Sequence, residues 1–341
     1  MSPAYGRCRQ RAWLRACAAL GVALAAAGCA STLPPLQEAP PRPAAAAPGP
    51  WQPAGEIAVL SWNLGFGGLG EGAEYCPDGG HRLIPSARRD VSRYVEGIGG
   101  FVQRSGAEVF LFQEAAGPSA VNRRVDLLAE LQRRLPGHWN VCSPEVRLRL
   151  PRVSVGLAVF APGAPQAAER LELPQEKKNG WQHFHLLVAR FPVSGGRGEL
   201  VLADVHLSAF DAGASVRGRQ LAAVREFLLG EAARGNHVVA GGDWNLLLAD
   251  THFPHTTRQR YLGWVHPLPP DFLPPGWRLA ADEEVPSVRS LERPYTRGEN
   301  YTAVIDGFVV SPNVTVLEVR TADLGFRFSD HQPVLARLRL D

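Results

Sequence analysis

The chain has 341 residues, of which 45% are hydrophobic and 20% are charged, a composition that suits one large or two small folded domains and excludes a disordered chain. Its formal net charge is +3, but four arginines lie in the first 28 residues, and without that segment 32 basic residues face 33 acidic ones. A net charge of −1 excludes a protein-wide positive field that would draw in nucleic acid, so any phosphate-binding surface must be local.

The N-terminus has the pattern of a secretory signal. Four arginines and no acidic residue precede an apolar segment at 16–27, and small residues follow it. The tetrapeptide Ala26-Ala27-Gly28-Cys29 resembles a bacterial lipobox, which would make Cys29 the lipidated first residue of the mature protein. An ordinary cleaved signal is the alternative. We therefore expect a lipoprotein signal peptide at 1–28 and an outer-membrane protein that faces the periplasm or the cell surface.

Proline and alanine dominate residues 29–55. Such a segment favours the extended polyproline conformation, at about 3 Å per residue, and lacks the apolar side chains needed to form a core. It is predicted to be a tether between the membrane anchor and a folded domain at 56–341.

From residue 56 onward, short apolar runs alternate with segments of helical periodicity. The predicted strands cover 57–63, 109–114, 139–142, 153–160, 183–191, 200–206, 238–240, 303–310 and 334–340, and the predicted helices cover 86–105, 119–135 and 215–233. Ser86 is the expected cap of the first helix and Gly106 its stop. Residues 251–298 form an irregular region rich in proline and aromatic residues.

Polar side chains stand at the ends of, or beside, six of the apolar runs. They are Asn63, Glu114, His206, Asp243 with Asn245, Asp306, and Asp330 with His331. Each alone has an ordinary explanation as a turn residue, a helix cap or a hydrogen-bonded core histidine. Because buried polar groups need partners, the whole set predicts one shared site at the strand ends.

The residue types define the chemistry of that site. Carboxylate and amide oxygens without cysteine suit Mg²⁺, Mn²⁺ or Ca²⁺ rather than structural zinc. Histidines can donate to phosphoryl oxygens or transfer protons near neutral pH. The combination predicts metal-assisted hydrolysis of a phosphoester. The sequence has neither the Gly-x-Ser-x-Gly elbow of a serine hydrolase nor the His-Glu-x-x-His of a zinc protease.

The motifs that carry these residues resemble, in order, those of the endonuclease/exonuclease/phosphatase superfamily, the deoxyribonuclease I-like proteins. They are Ser61-Trp62-Asn63, Gln113-Glu114, Val205-His206-Leu207, Gly242-Asp243-Trp244-Asn245, Ile305-Asp306 and Ser329-Asp330-His331-Gln332-Pro333. The resemblance spans 57–340. It implies a four-layer α/β sandwich, in which two packed mixed β-sheets are flanked by helices.

The resemblance also implies roles for the site residues. Glu114 matches the principal metal ligand, and Asn63 and Asp330 match residues that help to hold the metal or its waters. Asp243 and Asn245 match the pair that orients the attacking water, while His206 and His331 match histidines that contact the phosphoryl group. Asp306 matches the carboxylate that fixes the ring of His331. Whether His331 or Asp243 is the base stays open.

One expected residue is not evident in the sequence. Nucleases of the superfamily carry an acidic partner for the first histidine, whereas this chain reads Arg152-Val153-Ser154-Val155-Gly156 at the matching place, so the partner of His206 is unassigned. The candidate phosphate contacts are Lys177, Lys178, Arg289, Arg293 and Arg297, with a solvated charged face as the alternative. Cys76 and Cys142 could form one disulfide or remain free thiols.

The predicted function is hydrolysis of a phosphodiester, nucleic acid or small, by a monomeric enzyme that uses Mg²⁺, Mn²⁺ or Ca²⁺ and activates water for attack on phosphorus. A phosphomonoesterase or a sphingomyelinase-like phospholipid hydrolase is the alternative within the same chemistry. An inactive binding lipoprotein built on the same fold is the alternative from another class.

Overall fold

The computed structural model describes residues 37–39, 49–148, 152–175, 182–195, 198–209 and 212–341. The strands are β1 (Gln37–Ala39), β2 (Glu56–Asn63), β3 (Val109–Ala116), β4 (Trp139–Leu148), β5 (Val153–Ala161), β6 (Ala167–Glu172), β7 (His185–Pro192), β8 (Glu199–His206), β9 (His237–Asp243), β10 (Arg278–Ala280), β11 (Val288–Arg289), β12 (Thr302–Ala303), β13 (Asp306–Val310), β14 (Val314–Thr321) and β15 (Val334–Leu340). The α-helices are α1 (Arg88–Arg104), α2 (Leu127–Arg134) and α3 (Ser215–Ala233), and short 3-10 turns lie at Gly65–Gly67, Cys76–Asp78, Ala212–Ala214 and Gln259–Tyr261.

Two mixed sheets form the centre of the protein. The first has the order β1-β4-β5-β3-β2-β15-β14, and the second has the order β10-β13-β9-β8-β7-β6. In each sheet one central pair is parallel, β2 with β3 and β8 with β9, and the connection between the two strands of each pair carries a helix. Parallel pairing brings the C-terminal ends of the paired strands to the same edge of each sheet.

Alternation of side chains along the strands separates the layers. Val59 of β2 faces the apolar core between the two sheets, whereas its neighbours Leu60 and Trp62 face outward and pack under α1 and α2. On the other sheet, Val238 and Ala240 pack against Val224 of α3. The order helix, sheet, sheet, helix confirms the predicted four-layer α/β sandwich.

The second predicted helix is shorter than the sequence indicated. Residues 119–126 form turns instead, with Arg123 and Arg124 in the left-handed region at φ of 56° and 61°. The helix begins only after Asp126, whose carboxylate accepts a hydrogen bond from the backbone N–H of Ala129. Val121 and Val125 of the loop stand at helical spacing from Leu128, which is why periodicity alone placed the start too early.

The structure also differs from other predicted element boundaries. Ser86 does not cap α1, because its hydroxyl donates to the Gly68 carbonyl and Ala87 takes the cap position. The predicted strand at 303–310 is two strands, β12 and β13. Strands β6 and β14 were not predicted, since both are edge strands in which charged residues interrupt the apolar ones.

Contacts with the domain begin before residue 56. Within the predicted tether 29–55, Gln37–Ala39 pair antiparallel with β4, and the Trp51 ring packs edge-on against Phe191 at 5.0 Å between centroids. The predicted signal peptide 1–28 and the predicted lipidation site Cys29 lie outside the described residues. Within the described part of the chain, no helix is long and apolar enough to cross a membrane.

The two cysteines of the domain lie in different elements of the fold. Cys76 begins a 3-10 turn in the loop after β2, whereas Cys142 on β4 packs beside the apolar cluster beneath α1 and α2, where burial raises the pKa of its thiol to about 12. The disulfide and the pair of reduced thiols therefore both stay predictions.

Candidate active site

The predicted site residues converge where the central strands of both sheets end. Asn63 closes β2, and in the second sheet His206 of β8 lies opposite Asp243 of β9, which in turn lies opposite Asp306 of β13. The Asn63 side-chain N–H donates to Asp243 Oδ2 at 3.0 Å and so joins the two sheets across the core. The single shared site expected from the sequence therefore exists as a cluster of side chains.

Asp243 lies between two imidazole rings. Its Oδ2 atom is 3.6 Å from His331 Nε2 and 3.9 Å from His206 Nε2. The opposite ring nitrogen of His331 is 2.8 Å from Asp306 Oδ2, as predicted for a carboxylate that fixes the ring. Both rings therefore direct Nε2 toward the same carboxylate.

The unassigned partner of His206 is Glu145. Its Oε2 atom is 2.8 Å from His206 Nδ1, and the side chain is buried. Glu145 escaped the sequence analysis because the predicted strand ended at Cys142, whereas β4 continues to Leu148. A single acid inside an otherwise buried strand was the available signal, since a buried carboxylate requires a partner.

Both glutamates of the site lie in β-bulges. The register of β3 against β5 shifts between Phe112 and Ala115, which places Glu114 in the bulge with φ of 51°. The register of β4 against β5 shifts between Pro144 and Val146, which makes Glu145 the extra residue. A bulge redirects a side chain away from regular alternation, and a non-glycine residue at positive φ persists only where its surroundings hold it.

Gly156 of β5 lies opposite both bulges, because it pairs with Ala115 on one side and Pro144 on the other. A Cβ atom at Gly156 would lie 2.1 Å from the Ser143 carbonyl oxygen and 2.5 Å from the Glu145 nitrogen.

Gly156→Ala is therefore expected to lower stability by about 1–3 kcal/mol, the usual cost of overpacking, and to displace Glu145. Thermal unfolding measures the effect. Gly137→Ala, at a position with no atom near the added Cβ, is the control, and equal melting temperatures for the two variants would contradict the expectation.

Asn63 and Asp330 lie beside each other at the mouth of the first sheet. The Gly65 N–H donates to Asn63 Oδ1 at 3.0 Å, and a Cβ atom on Gly65 would lie 2.8 Å from Asp330 Oδ1. The Ser329 hydroxyl donates to the Asn63 carbonyl oxygen at 2.8 Å, which ties the two segments together. The structure thus brings these two predicted metal-binding residues into one place.

Asn245 is held in a conformation that few residues adopt. Its φ is 51°, its N–H donates to Asp243 Oδ1 at 2.9 Å, and its side-chain amide donates to the Leu207 carbonyl at 2.8 Å. Arg217 of α3, a buried residue that the sequence analysis missed, donates to the Asn245 carbonyl oxygen. These contacts fix the Asp-x-Asn turn relative to the two histidines.

The carboxylates make both histidines strongly basic. Burial alone would lower the pKa of His206, but the charges of Glu145, Asp243 and Glu114 outweigh it and raise the pKa to about 10. For His331, burial is likewise outweighed by Asp306 and Asp243, so that its pKa also rises to about 10. Both rings therefore carry a proton on each nitrogen at neutral pH and can donate from Nε2.

The acidic side of the site fits a divalent cation. Burial and the neighbouring Asp330 carboxylate raise the pKa of Glu114 to about 7 despite the opposing effect of His206. Asp243, Asp306 and His331 each present a ligand atom within 4.8 Å of the others, and Asp306 Oδ1 is buried without a hydrogen-bond partner among the described residues. The carboxylate and amide oxygens of the site are of the kind that bind Mg²⁺, Mn²⁺ or Ca²⁺. Because His331 is already bonded to Asp306, the set Asn63, Glu114 and Asp330 stays our prediction for the metal ligands.

The three arginines predicted as candidate phosphate contacts bind other parts of the fold. Arg289 is buried and donates to the carbonyl oxygens of Leu69, Gly70 and Ala73, so it anchors the glycine-rich loop after β2 and is not a phosphate contact. Arg293 pairs with Glu299, and Arg297 pairs with Asp323. Lys177 and Lys178 lie outside the described residues.

Two mixed sheets packed face to face, helices on both outer faces and a polar site at the strand ends define the deoxyribonuclease I-like fold of the endonuclease/exonuclease/phosphatase proteins. The chain has this fold, as its motifs indicated. No protein-family model matches the sequence, and neither does any curated protein.

Solved structures of such proteins resemble the chain in three dimensions. An endonuclease/exonuclease/phosphatase from Beutenbergia cavernae is 19% identical, with a TM-score of 0.53, over 84% of this chain and 72% of that one. Danio rerio TDP2 in complex with a single-strand DNA product is 15% identical, with a TM-score of 0.54, over 83% and 98%. ANGEL2, a 2′,3′-cyclic phosphatase in complex with adenosine-2′,3′-vanadate, is 14% identical, with a TM-score of 0.54, over 84% and 96%. At sequence identities this low, the structural similarity establishes the fold alone.

Proposed function

We propose that the chain is a divalent-metal-dependent phosphoesterase that hydrolyses a phosphodiester by attack of an activated water on phosphorus. The observation that carries this proposal is the position of Asp243 between two imidazoles, each held by its own carboxylate. A carboxylate flanked by two cationic donors suits a reaction in which water loses a proton while negative charge develops on phosphoryl oxygens.

The two histidines act as paired donors. His206 and His331 each use Nδ1 to hold a glutamate or an aspartate, which leaves Nε2–H for the substrate. With pKa values near 10, they stay protonated through the neutral range and can neutralise the phosphoryl oxygens. They are electrostatic donors in this scheme, and a neutral histidine is not available as the base.

Asp243 is accordingly the residue that we assign as acceptor of the water proton. Its Oδ1 is fixed by the Asn245 N–H and its Oδ2 by the Asn63 amide, so its position is set before substrate binds. A divalent cation bound by Asn63, Glu114 and Asp330 would neutralise phosphate charge as a Lewis acid.

A diester is the substrate class that we favour. The TDP2 structure is a complex with single-strand DNA product, and ANGEL2 is described as a cyclic phosphatase, so proteins of this fold act at such phosphates. Monoesters and phospholipids remain the rival substrates. The inactive binding lipoprotein is disfavoured because the predicted site side chains are all present at one edge. If Cys29 is lipidated, the enzyme works at the bacterial outer membrane.

The first test compares chromogenic aryl phosphodiester and phosphomonoester hydrolysis by the chain from Ala30 onward, with Mg²⁺, Mn²⁺ or chelator. We expect turnover of the diester that chelator abolishes. Glu114→Gln should lose at least about 10²-fold in kcat and also weaken Mn²⁺ binding measured by calorimetry, since it removes a charged ligand. Glu96→Gln, at an exposed position on α1, is the matched control. Full activity in chelator, or unchanged Mn²⁺ binding by Glu114→Gln, would contradict the proposal.

A further inference from the structure

A polar pair lies beneath the candidate site, in the core between the two sheets. Gln113 on β3 and Asp204 on β8 are both fully buried, and Gln113 Nε2 is 2.6 Å from Asp204 Oδ1. The pair therefore connects the first sheet with the second. The rest of that inter-sheet core is predominantly aliphatic and aromatic, so a carboxyl group at this depth needs an explanation.

The two remaining oxygens of the pair have no hydrogen bond within the part of the chain that the structure describes. They are Gln113 Oε1 and Asp204 Oδ2. An ionised carboxylate and an amide oxygen are both acceptors, so neither can satisfy the other. A protonated carboxyl group has one O–H donor, and a single proton would supply the missing bond for both atoms.

We infer that Asp204 is protonated in the folded protein and forms a cyclic acid–amide pair with Gln113. In this pair the Asp204 O–H donates to Gln113 Oε1, while Gln113 Nε2 donates to Asp204 Oδ1. Two parallel hydrogen bonds fix orientation as well as distance. All polar atoms of both groups are then satisfied without a buried charge.

The charges around Asp204 support the neutral form. Burial raises the pKa of Asp204 well above its ordinary value, and Glu145 on β4 raises it further. The Gln113 side chain, His206 on the same strand and the backbone of Ala158 on β5 oppose that increase. On β9, the residue opposite Asp204 is Gly241, which contributes no side chain.

The pair acts on the site through its neighbours. Gln113 directly precedes Glu114, and Asp204 lies two residues before His206 on the same face of β8. A doubly bonded clamp between β3 and β8 therefore sets the separation of the acidic residue and the first histidine. Asp204 is a positioning residue in this respect, and that consequence depends on the proposed function, whereas the acid–amide pair itself does not.

Infrared difference spectroscopy of the chain from Ala30 onward at pH 7 tests the protonation directly. We expect the wild type to show the C=O stretching band of a protonated carboxylic acid that Asp204→Asn lacks, while Asp271→Asn, at an exposed position, retains it. Loss of the band specifically in Asp204→Asn supports the inference. A wild-type spectrum identical to that of Asp204→Asn in this region would overturn it, whether or not the protein hydrolyses phosphoesters.

Rescue by the amide gives a second test. Asparagine offers one donor and one acceptor to Gln113, so at pH 7 Asp204→Asn should have a melting temperature no lower than that of the wild type and a kcat within about threefold of it, whereas Asp204→Ala should lower both, kcat by about tenfold or more. Because a raised carboxyl pKa makes the folded state lose stability as pH rises above the ordinary carboxyl range, Asp204→Asn should gain stability relative to wild type as pH rises above that range. Unfolding of Asp204→Asn, or a pH-independent difference, would overturn the inference.

Discussion

Asp243→Asn is expected to lower kcat for the phosphodiester by about 10³-fold while the protein stays folded. The replacement has the same shape but cannot accept the water proton, and it removes the negative charge that lies 3.6 and 3.9 Å from the two imidazoles. Steady-state kinetics with saturating Mg²⁺ measures the loss. Because His206 and His331 remain, we expect KM to change much less than kcat.

Two comparisons separate this result from a general loss of structure. Asp271→Asn makes the same chemical change at an exposed position and should retain wild-type activity. Unfolding curves of Asp243→Asn should remain cooperative, since Asn245 N–H can still donate to the amide oxygen at residue 243. A kcat within tenfold of wild type would contradict the assignment of Asp243 as the base.

The motif residues could be predicted from sequence because each stands at the end of, or beside, an apolar run. Val238-Val239-Ala240 reads as a buried strand, and the chain places Asp243 and Asn245 directly after it. Parallel pairing of β8 with β9, which is known from the structure, then brings His206 opposite Asp243. The four-layer architecture, in contrast, was predicted from the resemblance of these motifs to a known superfamily, since alternating strands and helices alone do not define the number of layers.

The roles of the remaining residues, Glu145 and Asp204, could not be predicted from the sequence because they depend on irregular backbone and on contacts between distant strands. Glu145 becomes a site residue only because a bulge in β4 redirects it, and a bulge depends on the partner strand, here on Gly156 of β5. The sequence segment expected to contain the acidic partner of His206 is part of β5, one strand away from the residue that fills the role. Asp204 likewise reads as one polar residue in an apolar strand until its distance to Gln113 is known.

The Glu145 carboxylate has a measurable signature in the pH dependence of catalysis. Wild-type kcat/KM should hold up to about pH 10, where His206 and His331 lose their protons. Glu145→Gln keeps an oxygen that accepts the Nδ1–H of His206 but removes the charge that favours imidazolium. The pKa of His206 should therefore fall toward the ordinary value of about 6.5, and the alkaline limb should move down by about 1–3 pH units.

The pH profile distinguishes this electrostatic role from simple packing. A variant that merely loosened β4 would lower kcat/KM by the same factor at every pH, whereas loss of the proton from His206 lowers it progressively as pH rises. At pH 6 the ring is protonated in both proteins, so Glu145→Gln should come closest to wild type there. Glu226→Gln, exposed on α3, should leave the profile unchanged. An alkaline limb in Glu145→Gln at the wild-type position would show that the other carboxylates facing His206, Asp243 and Glu114, suffice to hold its proton.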